Sequence, residues 1–197
     1  MPSRVQTLQP RAGRAAALPP DERRAAIVAA TIPLLLERGA AVTTRQIAEA
    51  AGIAEGTIFR VFPDKDAVVR AAVEHAFDPE ATEVALRSIE RDQPFEAQLT
   101  EAVDVIQRRL ALIWQLLSAV GATAEPPRRP RELAALVAIF EPQADRLRHE
   151  PRVAAQQLRA LTLAVTHPAL VDEPMSPEEI VALLLDGIRV RPGKAGR

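Results

Sequence analysis

From Phe95 to Val120 apolar residues recur at Phe95, Leu99, Val103, Ile106, Leu110, Ile113, Leu117 and Val120. Spacings of three and four sustained over this stretch predict a single α-helix roughly 39 Å long at 1.5 Å per residue. The rest of the chain beyond residue 20 reads the same way. Alanine and leucine dominate, glycines are few, and no alternation of β-branched residues is sustained, so the fold is expected to be all-α. Of 197 residues, 48% are hydrophobic and 26% charged, which supports a packed core and excludes wholesale disorder. The absence of cysteine removes disulfides, thiolate metal sites and cysteine nucleophiles. No apolar run approaches the ~18–20 residues that cross a bilayer. The N-terminal arginines lack an apolar segment beside them, so a cytoplasmic protein with no membrane partner is expected.

Prolines and glycines divide the chain. Residues 1–20 show no apolar period and read as a flexible arm carrying Arg4, Arg11 and Arg14. A first helix is expected from an N-cap at Asp21 to Gly39, with Ile27, Ala30, Leu34 and Leu35 on one face and a kink at Pro33. Thr43 and Gln46 form a capping-box pattern that opens a helix to about Ala50. A tight turn follows at Ala51-Gly52-Ile53, then a helix of barely two turns over Ala54–Val61. Pro63 and Asp64 start a fourth helix running to about Phe77. After the long helix, Gly121–Pro130 reads as a loop, and an apolar stripe from Leu133 to Leu147 runs through Pro142 with a bend. Two last helices are expected, from Pro151 to about His167 and, capped by Ser176 and Glu179, from Pro177 to near Val190.

Two short helices joined by a glycine turn and packed on a longer one make a helix-turn-helix, a unit that lays its second helix in the DNA major groove. Charge agrees with that placement. Residues 1–70 hold ten Lys/Arg against seven Asp/Glu, and the remainder fifteen against nineteen, so an anionic partner suits the front of the chain.

The run TTRQIAEAAGIAEGTIFRVFPDKDAVV, residues 43–69, resembles the DNA-binding domain of the tetracycline-repressor (TetR) family of bacterial regulators. Thr44, Ile47, Ala48, Ala51, Gly52, Gly56, Thr57, Phe62 and Lys65 all fall at the family's spacing, and the match extends back to about residue 22. The resemblance implies a three-helix head over residues 20–77, with its motif at about 43–62. A fourth helix joins that head to an all-helical C-terminal domain (78–191) that dimerises and binds an effector. It implies a sequence-specific, ligand-responsive repressor that binds a pseudo-palindromic operator in double-stranded DNA as a homodimer. The DNA-binding residues it implies, together with their neighbours on the motif, are Thr43, Thr44, Arg45, Glu55, Gly56, Thr57, Phe59, Arg60 and Lys65. Dimerisation through the last two helices is part of the same expectation, using Val153, Leu158, Leu161 and Val165 on one, and Ile180, Leu184, Gly187 and Ile188 on the other.

Three positions depart from the family pattern: Ala54 cannot cap, Phe59 has no hydroxyl, and Val61 donates no hydrogen bond. These departures leave open a second reading, a ligand-binding or protein-interaction helical module whose head no longer binds DNA. Trp114, with Gln107, Leu110, Ser118 and Phe140, forms a candidate pocket for a small, apolar effector. His75, His149 and His167 lack metal-ligand spacing, so neither a metal nor a cofactor is expected. No serine-histidine-aspartate set, phosphate loop or paired-carboxylate pattern stands out, and the chain is not expected to be an enzyme.

Overall fold

The computed structural model describes residues 19–121 and 131–189. The expected arm and the expected loop at Gly121–Pro130 lie outside these residues, apart from Pro19, Pro20 and Gly121. The helices are α1 (Pro20–Arg38), α2 (Thr44–Ala50), α3 (Glu55–Val61), α4 (Lys65–Ala76), α5 (Glu80–Arg87), α6 (Phe95–Val120), α7 (Ala134–Phe140), α8 (Pro151–Ala164) and α9 (Pro177–Ile188). Among the described residues none is long and apolar enough to cross a membrane.

The all-α reading holds, and most helix ends follow from local chemistry. Thr43 accepts from the Gln46 amide while Gln46 Oε1 accepts from the Thr43 amide, and Ser176 and Glu179 repeat the arrangement at α9. Asp64 caps α4 by accepting from the Ala67 amide at 2.6 Å. Gly52 takes φ +66° in the turn between α2 and α3, a value that favours a residue without Cβ.

Several boundaries differ from the sequence reading. Pro19 is the N-cap of α1 and Pro20 its first residue, so Asp21 sits within the first turn instead of capping it. Proline suits that first position because its missing N–H has no partner there in any helix. The stripe through Pro142 is not one bent α-helix. α7 ends at Phe140 and the chain continues as a 3₁₀ turn over Glu141–Arg146, where Pro142 cannot donate the next α-helical bond. α8 stops at Ala164, three residues short of His167, and α9 stops at Ile188. α5 was not anticipated at all.

Two apolar cores share one spine. Ile27, Val28, Leu35, Ile47, Ile58, Phe62 and Val68 pack the head, and α6 adds Ile113 and Leu116 to it. The other half of α6 places Leu99, Ala102, Val103 and Ile106 in the second core, against α5, α7, α8 and α9. Polar fasteners hold these parts in register. Arg109 of α6 donates from Nη2 to the carbonyls of His75 (3.1 Å) and Asp78 (2.8 Å), which tethers the C-terminal end of α4. Burial draws the Arg109 guanidinium below the usual arginine range, and the Asp78 carboxylate opposes that shift. Gln107 Nε2 donates to Thr166 Oγ1 (3.0 Å) and to the Met175 carbonyl (2.9 Å), tying α6 to the α8–α9 connection.

Most of the apolar stripe residues assigned to a dimer interface are spent inside the chain. Leu158, Ile180, Leu184 and Ile188 are buried in the second core, and Leu161 and Val165 pack against it. Periodicity finds the buried face of a helix but does not say which chain covers it. The apolar side chains that α8 and α9 leave exposed are Val153, Leu163 and Leu183.

Candidate nucleic-acid interface

α3 is held by one side and free on the other. Ile58 is fully buried and Phe62, just past the helix, is 1% exposed. Both are locked against α1, where the Arg24 guanidinium lies 4.3 Å from the centre of the Phe62 ring. Glu55, Gly56, Phe59 and Arg60 face outward. Positions 56, 59 and 60 are spaced i, i+3 and i+4 and share one face of the helix. A Cβ added at Gly56 would meet nothing within 4 Å, so the front of that face is open.

The other predicted residues lie at the start of α2, on α3 and at the start of α4. Thr44 Oγ1 donates to Glu55 Oε1 at 2.5 Å, which pins the start of α2 to the start of α3. Thr43 is occupied by its capping box, and Thr57 is half-buried. Arg45 is largely exposed and, among the described residues, pairs only with Glu49 on its own helix, at 3.1 Å. An exposed pair of this kind contributes ~0–1 kcal/mol, so a phosphate competes easily for the guanidinium. Lys65 Nζ donates to the Ala40 carbonyl at 2.9 Å, leaving two of its three donors for an anion. Ala54 stands at the N-cap of α3 with no side-chain bond, in line with its methyl side chain. The Arg24–Phe62 contact and the Lys65–Ala40 bond carried no signal in the sequence, because each joins residues far apart in the chain.

The five residues offered as an effector pocket separate in space. Trp114 and Ser118 line a hollow of about 460 Å³ together with Leu36, Gln115, Ala119 and Pro168. Trp114 meets the His167 ring edge-on, with ring centres 4.8 Å apart. Gln107 is engaged by Thr166 and Met175, Leu110 packs on the second core, and Phe140 is fully buried with its ring edge-on to Phe95 at 5.6 Å. A second hollow of about 480 Å³ lies at the opposite end of α6, lined by Glu96, Asp145, Arg146 and Arg189 among others. Its charges are mutually satisfied in part: Arg189 pairs with Glu96. A backbone hydrogen bond first, and the Arg189 bond second, hold the Glu96 carboxyl below its ordinary range.

Residues 27–72 match the family model for bacterial regulatory proteins of the tetR family. Over these residues the head is similar to the tetR family. The matched segment runs from the middle of α1 into α4 and so spans α2, the turn after it and α3. The likeness in fold extends over most of the chain. A Vibrio parahaemolyticus structure described as a TetR-family transcriptional regulator aligns at TM-score 0.55 and 16% identity, covering 86% of this chain and all of its own. A TetR-family regulator structure from Mesorhizobium loti gives 0.53 at 15% identity, covering 88% and 100%. A transcriptional regulator from Pseudomonas aeruginosa PAO1 gives 0.53 at 21%, covering 89% and 94%. No curated protein matches the chain.

Proposed function

We propose that the protein is a ligand-responsive transcriptional repressor that binds a pseudo-palindromic operator as a homodimer. The observation that carries this reading is the outward face of α3, with Gly56, Phe59 and Arg60 exposed, together with the exposed Arg45 on α2 and Lys65 at the start of α4. A helix anchored by Ile58 and Phe62 and open at Gly56 fits the major groove, while the flanking cations fit the phosphates on either side.

The homodimer would use the exposed faces of α8 and α9, on which Val153, Leu163, Leu183 and Gly187 are exposed. The effector would occupy the Trp114 hollow, whose lining is mostly apolar. Leu36 in that lining belongs to the last turns of α1, so a ligand there presses on the head directly. The reading makes the protein a regulator and gives it no catalytic role.

Fluorescence polarisation with duplex DNA flanking the protein's own gene tests the proposal. Affinity is expected to fall steeply with salt as phosphate contacts are exchanged for counterions, and to exceed the affinity for heparin. A salt slope near zero, with no preference over heparin, would return the head to the module reading without DNA.

A further inference from the structure

We propose that Phe59 reads the C5-methyl group of thymine, so that part of the operator half-site is recognised through an apolar contact beside Arg60. This inference rests on the operator-binding reading above. Phe59 is 53% exposed and is the only aromatic among the exposed large apolar side chains of the described residues. On a helix anchored by the buried Ile58, a partner that covers this ring gains free energy in proportion to the apolar area removed from water.

The chemistry of the ring narrows what covers it. Phenylalanine has neither hydroxyl nor N–H, so it makes no hydrogen bond to a phosphate or to a base edge. In the major groove the one base feature that matches an apolar side chain is the thymine methyl. Gly56, three residues earlier on the same face, leaves open space where a side chain would hold the helix off the groove floor. Arg60, the next residue, makes no hydrogen bond or ion pair with the other described residues and stands free to take guanine O6 and N7. The α3 face is therefore an apolar reader and a cationic reader side by side.

The test uses the full-length protein and duplexes selected by it from a randomised pool. Each thymine of the selected half-site is replaced in turn by deoxyuridine, which removes the methyl and leaves the hydrogen-bonding edge intact. At one or two positions the wild-type affinity should fall roughly fourfold per methyl lost. Phe59→Ala should bind the thymine and uracil duplexes equally, while Phe59→Leu keeps part of the difference. Both variants should remain cooperatively folded, checked by thermal unfolding, because the half-exposed ring lies outside the head core. Wild-type indifference to uracil at every position would overturn the inference, as would full methyl dependence in Phe59→Ala. Failure to select any duplex would instead overturn the operator reading itself, and this inference with it.

Discussion

A Cβ placed on Gly39 would stand 2.5 Å from the carbonyl oxygen of Ala119, so the end of α1 and the last turn of α6 meet at a glycine. Gly39 also has φ +58° and ψ −146°, a backbone state close to the region that essentially only glycine occupies. Ala119 lines the Trp114 hollow, and Ala40, next to Gly39, accepts the Lys65 ammonium. The seam between head and spine thus lies between the hollow and Lys65, a residue of the proposed DNA-facing surface. Gly39→Ala should cost about 2–4 kcal/mol, combining backbone strain with a clash against main chain that has little freedom to move. A urea-unfolding midpoint indistinguishable from wild type would show that the seam yields.

Glu83 is buried on α5 and accepts from the amides of Ala134 (2.6 Å) and Ala135 (3.0 Å) at the start of α7. Removing the carboxylate leaves two N–H groups without partners in a poorly solvated place. Glu83→Ala should lower stability by about 1–3 kcal/mol, read from urea unfolding. The DNA affinity of the folded fraction should be unchanged, since the head core does not include α5.

That same residue explains why α5 was illegible in the sequence. Its buried face contains Thr82 and Glu83 while Val84 is 55% exposed, so hydrophobic periodicity points the wrong way. By contrast α6 has the bounds its apolar spacing predicts, and the capping boxes at Thr43 and Ser176 open α2 and α9 where expected. The residues of the α3 face come from the resemblance to the tetR family, and the short helix after the glycine turn places them together. The hollow was only half legible. Trp114 and Ser118 are one turn apart on α6, but Leu36 and Pro168 come from distant segments that no spacing rule connects. Phe140 shared the apolar character of a pocket residue and lies instead wholly in the core.

Arg60 and Lys65 should separate by the kind of loss they cause. Arg60→Ala is expected to cost about 1–3 kcal/mol and to relax preference at one position of each half-site. Lys65→Ala should weaken binding evenly across sequences and reduce the salt slope by about 1. Competition binding against a panel of single-base operator variants distinguishes them, and uniform losses for both would make Arg60 a phosphate anchor.

Trp114→Ala should impair the response to effector while leaving operator affinity intact, because the side chain lines the hollow and not the α3 face. Coupling is reciprocal, so an inducing ligand must bind the free protein more tightly than the DNA complex, typically by ~5–150-fold. Calorimetric titration of a compound with and without bound DNA measures that ratio. Equal affinities in the two states would exclude the compound as an inducer.

Footprinting of the full-length protein on DNA flanking its own gene addresses the central claim most directly. A homodimer presenting two α3 faces should protect two half-sites related by a pseudo-two-fold axis, their centres about one helical turn or roughly 34 Å apart, or a whole multiple of that. Protection should vanish when either half-site is scrambled. Uniform weak protection along any duplex, or protection of a single unpaired site, would contradict the account.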